Sequence, residues 1–316
     1  MPMSDAPGPA FVETKEYRRF REFCDACRRD RYIGLCYGPP GVGKTLSARH
    51  YANWDIVSRY RRDTPTCGVT LEEVRGSRVV FYTPPVVVTS PGRLPNDIGA
   101  LRGKLRDFLL DDIRREELPR LQAAHREVEA LYEHHRRTGE NCFLVPPEEV
   151  ARVQDEGRRA HHVMMERERA QPDLTALIVI DEADRLKMTG LEQMRDIYDQ
   201  GDIGLVLIGM PGLERRLSRY AQLYSRIGFV HEFRPLGPAE VRVLLSGWRP
   251  PGISLPQDLL ADAEGVAALI RVTGGNFRLL ERLLSQVGRI LAINGLEVMT
   301  REVVEAAREV LVIGAA

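Results

Sequence analysis

Eight consecutive residues, GPPGVGKT at positions 38–45, have the types and spacing to hold phosphate. They match G-x-x-x-x-G-K-[ST] in full. The glycines remove the Cβ atoms that would stop a backbone from wrapping an anion, so successive N–H groups can point inward. A helix starting at the end of the loop would add a favourable dipole. Lys44 would reach the β- and γ-phosphates of a nucleoside triphosphate, and Thr45 would ligate Mg²⁺. The expected contacts are Gly38, Pro39, Pro40, Gly41, Val42, Gly43, Lys44, Thr45 and Leu46. A chance Gly/Pro turn is the poorer alternative, because all four fixed positions of the eight-residue pattern match.

LIVIDEAD at 177–184 supplies the second half of such a site. An acidic residue at the end of a buried apolar strand lands at the carboxyl edge of a parallel sheet, where open α/β folds bind ligands. Asp181 would hold Mg²⁺, and Glu182 would orient and polarise an attacking water. Burying two adjacent charges is costly, so packing alone is a weak explanation for them. Asp184 is expected to cap the next helix and stays outside the catalytic set.

These residues need a scaffold. Short apolar runs at 31–37, 78–82, 175–181, 203–209 and 228–234 read as strands. Helical periodicity covers 14–30, 45–60, 97–137 and 148–170, with Pro119 expected to interrupt the third of these. A further helix is expected at 191–200. Strand–helix alternation predicts an α/β fold, a parallel five-stranded sheet flanked by helices. After Pro235 only helical patterns remain, at 238–247, 257–270, 276–293 and 300–311, so a small all-helical C-terminal lid is expected. The expected division is a disordered 1–13, a nucleotide-binding α/β domain at 14–235 with a helical insertion at about 111–150, and a lid at 236–316.

The 316 residues carry 45 Lys+Arg against 45 Asp+Glu, so wholesale electrostatic attraction to nucleic acid is not expected. Only four of the basic residues are lysines, and one of these is Lys44. The cysteines at 24, 27, 36, 67 and 142 are odd in number and irregular in spacing, which argues against a disulfide framework. Cys24 and Cys27 are read as ordinary helix residues and not as half a zinc site. No apolar run approaches the ~20 residues of a membrane span. A cytoplasmic protein without membrane contact is the expectation.

Arginines recur in GMPGLERRLSRYAQLYSRIGFVHEF, residues 209–233. Gly209-Met210 ends the fourth strand without the polar side chain that would sense a γ-phosphate there. Arg226 precedes the fifth strand, at the domain edge, where it could reach a neighbouring subunit's γ-phosphate; the alternative is a surface salt bridge. Arg215, Arg216 and Arg219 are expected on one helix, mostly solvated. In GGNFR, Asn276 can cap a helix whose first turn holds Arg278. A cation there opposes the helix dipole, which an anionic ligand would explain, so Arg278 is expected to touch ATP from the lid.

GPPGVGKT, LIVIDEAD, SRIGF and GGNFR, in this order, resemble the motifs of AAA+ ATPases over about residues 14–311. Within that superfamily, LVLIGMPGLERRL and QLYSRIGFVHEFRPL are similar to the MuB/TniB/TnsC-type transposition ATPases. The resemblance implies ATP and Mg²⁺ as ligands, slow, assembly-dependent hydrolysis, and a homo-oligomeric ring or helical filament on duplex DNA. It also implies a transposase as partner. Carried over, Lys44, Thr45, Asp181 and Glu182 take nucleotide roles, Arg226 that of a trans-acting finger and Arg278 that of a lid sensor. DNA contact would be made to the backbone, independent of sequence, with Arg93, Lys104 and Arg106 as candidates. The rival readings are a replication-initiator or helicase-loader relative, an ExeA-like ATPase without a DNA role, and a signalling NTPase.

Overall fold

The computed structural model describes residues 11–60, 69–86, 92–137, 147–248, 250, 255–256 and 259–311. In chain order the elements are α1 (Lys15–Asp30), β1 (Ile33–Tyr37), α2 (Lys44–Tyr51), α3 (Trp54–Arg59), α4 (Leu71–Arg75), β2 (Val79–Tyr82), α5 (Arg93–Arg137), α6 (Pro147–Ala170), β3 (Leu177–Ile180) and a 3-10 turn at Ala183–Arg185. They continue with α7 (Met188–Gln200), β4 (Gly204–Gly209), α8 (Leu213–Leu217), α9 (Ala221–Tyr224), β5 (Ile227–Glu232), α10 (Pro238–Gly247), α11 (Ala263–Thr273), α12 (Phe277–Asn294) and α13 (Arg301–Glu309). The described residues fall into two compact units, one drawn from 1–55, 81–95 and 176–316, the other from 56–80 and 96–175.

The first unit is built on the sheet. The strand order is β2-β3-β4-β1-β5, and β1 pairs in parallel with β4 and β5, as β3 does with β4. Every residue of β3 and β4 is buried. Burial on both faces is why these strands read as unbroken apolar runs instead of alternating ones. Each such aliphatic side chain contributes about 1.5–3 kcal/mol when removed from water. The order places β4 between β1 and β3, so the phosphate loop after β1 and the acidic turn after β3 open at the same edge with the end of β4 between them.

The same unit contains the expected helical C-terminal region, α10 to α13, around a core that includes Leu244, Trp248, Leu269, Leu280, Leu284 and Met299. Three of its four helices, α11 to α13, start at side-chain caps. Asp262 accepts from the Glu264 N–H at 2.9 Å and Asn276 from the Leu279 N–H at 3.3 Å. The Asp262 cap puts the start of α11 at 263, six residues later than the periodicity suggests.

Several expected elements differ. The helix expected over 45–60 is two, because Asn53 sits in the left-handed region at φ 51° between α2 and α3. Pro119 does not interrupt its helix: α5 runs 45 residues through it. Proline forfeits one backbone donor. In the second unit that turn is held by the buried Glu117, which pairs with Arg120 at 3.0 Å and with Arg167 of α6 at 2.7 Å. Pairs Arg102–Asp173, Arg114–Glu168 and Arg152–Glu127 show α5 and α6 running antiparallel. Helix α4 is signalled by a capping box that the apolar pattern does not reveal, Thr70 with Glu73. Of the segment expected to be disordered, 1–13, residues 1–10 lie outside the described residues, as do Cys67 and Cys142, while Phe11 stacks on His50.

A buried acid ties α1 to β5. Glu16 is 5 % exposed, and its carboxylate lies 3.1 Å from the His231 ring. Burial pushes its pKa up, but the contact with His231, that ring's charge and the Arg234 backbone N–H outweigh burial and hold it below the ordinary value. A depressed carboxyl pKa contributes stability above the unfolded-state pKa and loses it as pH falls through the folded value. Glu16→Gln is therefore expected to melt below the wild type at neutral pH. Thermal melts from pH 7 to pH 3 should show that gap closing in acid; a constant gap would contradict the assignment.

Candidate functional site

The loop after β1 wraps back on itself. Gly41 and Gly43 adopt φ values of 81° and 107°, which a side chain would strain. Lys44 opens α2 and is buried, and its Nζ donates to the Gly38 and Pro39 carbonyls, both at 2.7 Å. Burial pushes the Lys44 pKa below the usual lysine value, against the opposing pull of Cys36, Asp181 and Asp184. The ammonium is thus fixed at the floor of the loop by two carbonyls.

Thr45 faces the acidic turn. Its Oγ1 donates to Asp181 Oδ2 at 2.7 Å, while Asp181 Oδ1 accepts the Glu182 N–H at 2.9 Å. The Asp181 backbone N–H is anchored to the Tyr82 carbonyl. Burial raises the Asp181 pKa, partly offset by the Thr45 and Glu182 hydrogen bonds. A buried carboxylate beside a hydroxyl, with its charge opposed by burial, is a donor set that suits a hard divalent cation; phosphate oxygens and water would complete its shell. The residues therefore fit Mg²⁺.

Glu182 is partly exposed and holds a left-handed backbone conformation, φ 52°, of the kind that concentrates at functional sites. Its carboxylate pairs with Arg185, whose other amine donates to the Pro84 carbonyl at 2.9 Å. Asp184 does not cap α7, whose N-cap is Lys187. It accepts the Met210 N–H at 2.7 Å and lines the same cavity.

That cavity, about 240 Å³, is walled by the loop from Pro40 to Leu46 (Val42 excepted), by Asp181, Glu182 and Asp184, by the end of β4, and by Phe277, Arg278 and Glu281. Gly38 and Pro39 are not on its wall; they act through the carbonyls that hold Lys44. Two lid residues bond the loop directly: Asn276 Nδ2 donates to the Pro40 carbonyl at 2.7 Å and the Arg278 N–H to the Gly41 carbonyl at 3.0 Å. The Arg278 guanidinium has no ion-pair partner among the described residues.

The other arginines are elsewhere. Arg226 is outside the cavity and forms a two-pronged pair with Asp199, at 2.6 and 2.9 Å. Arg216 donates to the Asp184 and Leu186 carbonyls and so pins the acidic turn. Arg219 is not on a helix with Arg215 and Arg216, because α8 ends at Leu217. Lys104 and Arg106 are committed within their own unit, to the Ser58 and Glu168 carbonyls, and Arg93 is not free either. Cys24, Cys27 and Cys36 are buried free thiols whose pKa values burial raises, Cys27 to about 12. No cluster of three or more His, Cys, Asp or Glu side chains that could hold a metal ion occurs among the described residues.

Residues 27–217 match the family model described as AAA domain. The chain belongs to the AAA domain family. The chain is similar to a potential ATP-binding protein of Staphylococcus aureus, 38 % identical over 308 residues, covering 96 % of this chain and 97 % of that one. It is also similar to the Mu-like prophage FluMu DNA transposition protein B of Haemophilus influenzae, 29 % identical over 111 residues, covering 33 % of this chain and 36 % of that one. The solved RuvB Holliday junction branch migration motor of Thermotoga maritima shares the fold, with TM-score 0.50, 15 % identity, and coverage of 95 % of this chain and 70 % of that one. The AAA domain thus has the expected fold class. No described helix is long and apolar enough to cross a membrane.

Proposed function

We propose that this AAA domain is an ATP-dependent DNA-binding ATPase that assembles on target duplex DNA and recruits or activates a transposase. The carrying observation is a single cavity in which Lys44, Thr45, Asp181 and Glu182 meet Arg278 from the helical region. Lys44 and the loop amides bind the phosphates, Thr45 and Asp181 hold Mg²⁺, and Glu182 acts on the attacking water. Mg²⁺, when bound, would neutralise phosphate charge. Arg278 reads the nucleotide from the lid (236–316), while the α/β domain (14–235) carries the rest. Because Asn276 and Arg278 already bond the loop carbonyls, a change in loop conformation on nucleotide binding is passed to the lid. Arg226 serves a neighbouring subunit's site. The transposition part of the reading is supported by the similarity to DNA transposition protein B.

The test is size analysis with and without ATP and duplex DNA. Large assemblies are expected only with both, on DNA of unrelated sequences, and weakening as salt rises. A protein that stays monomeric in every combination defeats the proposal.

A further inference from the structure

The end of β4 is Gly209-Met210, with no polar side chain to face a γ-phosphate or its attacking water. Yet a polar group does stand there. Asp184 reaches across from the turn after β3, and its Oδ2 accepts the Met210 N–H at 2.7 Å. Gly209 makes room for it. A Cβ at position 209 would lie 2.5 Å from Asp184 Oδ2 and 2.6 Å from a Leu213 methyl, closer than real Cβ atoms approach. The turn itself is fixed from behind, by Arg216 donating to the Asp184 carbonyl at 2.6 Å. One carboxylate oxygen is therefore tied to the strand end, and the other has no hydrogen-bond partner among the described residues. The side chain lines the cavity with Lys44, Thr45, Asp181 and Glu182.

We infer that Asp184 takes over the missing role at the end of β4, as a positioning residue for the water that attacks the γ-phosphate. A carboxylate accepts hydrogen bonds and cannot donate one to phosphate, so it acts through water. In the step, the water oxygen forms a bond to the γ-phosphorus. The bond from that phosphorus to the β–γ bridging oxygen breaks, and its electron pair leaves with ADP. One water proton passes to Glu182; the other stays on the oxygen that joins phosphorus and donates a hydrogen bond to the free oxygen of Asp184, which sets the water's orientation. Two acceptors fix a water molecule in space where one leaves it free to turn, and alignment of the attacking atom is a large part of such a barrier. The pairing explains both oddities at once: a strand that ends in glycine, and a third acid where the metal and base already have theirs.

The inference rests on the ATPase reading, and the experiment separates the two. Asp184→Asn keeps an acceptor for the Met210 N–H and removes the anionic acceptor that faces the water. The assembled protein is assayed for turnover, for fluorescent-ATP affinity, and for affinity to ADP with and without aluminium tetrafluoride, which mimics the transferring group with its water in line. Expected for Asp184→Asn are ATP and ADP affinities within about threefold of wild type, kcat lower by roughly 10²-fold, and loss of the extra affinity that the fluoride gives. Gly209→Ala, which evicts the carboxylate by its Cβ, should lower kcat in the same way and covers the case in which Asp184→Asn does not fold. Asp184→Asn turning over like wild type overturns the inference, as does an equal loss of ATP affinity and kcat. A wild type without turnover under any condition overturns the ATPase reading itself.

Discussion

Arg226→Ala subunits are expected to bind ATP as wild type does and to hydrolyse it about 10³-fold more slowly. Arg226 is outside the nucleotide cavity of its own chain, held by Asp199. That pair is partly exposed, and such pairs contribute about 0–1 kcal/mol, so exchanging Asp199 for a neighbour's γ-phosphate costs little. A planar fork suited to a carboxylate is equally suited to phosphate, so Arg226→Lys should not restore activity. Meanwhile Glu182 of the single chain is engaged by Arg185, so turnover is expected to be slow before assembly. The decisive measurement mixes two inactive proteins. Glu182→Gln lacks the base and keeps the finger, while Arg226→Ala keeps the base and lacks the finger. If the finger acts in trans, an equimolar mixture should recover roughly a quarter of wild-type turnover, the fraction of junctions that combine an intact base with an intact finger. Recovery of nothing from the mixture, or wild-type turnover by isolated Arg226→Ala subunits, would remove the trans assignment.

The parts of this site that the sequence revealed are those written in consecutive residues. The loop 38–45 and the run 177–182 carry their chemistry in local spacing, and each is bounded by the strand and helix it needs. Arg278 was legible because a cation in the first turn of α12 has no local reason to be there. What stayed hidden depends on neighbours distant in sequence. Asp184 reads as a helix cap until β4 is placed beside β3, and only then does Gly209 acquire a reason. The Asn276 amide bonding the Pro40 carbonyl spans more than two hundred residues, and the cap that its other end makes gave no hint of it. Pro119 misled for a related reason. A single lost donor is outweighed by helix pairing that no window of sequence displays. Asn53 was missed because a helical pattern carries on across a two-residue break.

Lys44→Met is expected to abolish ATP binding while leaving the fold as stable as before. The affinity loss follows from geometry: two carbonyls hold Nζ at the floor of the loop, and methionine keeps the stem and removes the charge. Charge-assisted hydrogen bonds to phosphate are about twice as strong as neutral ones, and several are lost together, so ATP affinity should fall by at least about 10²-fold. Stability follows a different balance. Burial lowers the Lys44 pKa, so keeping the ammonium in place costs the apo protein stability throughout the neutral range. Its two hydrogen bonds to loop carbonyls return only part of that. An apolar side chain of similar volume removes the cost together with the bonds, and such exchanges at buried charges are often neutral. Melting temperatures without nucleotide should therefore agree within about 3 °C. With ATP at about 100 times its Kd, wild type gains about 2.7 kcal/mol by linkage. At a few degrees per kcal/mol for a unit of this size, that is a rise of roughly 5–10 °C, which Lys44→Met should lack. A variant that melts far below wild type without ATP would show that Lys44 holds the loop together and does more than wait for phosphate. One that still rises with ATP would show that the loop amides alone bind the nucleotide.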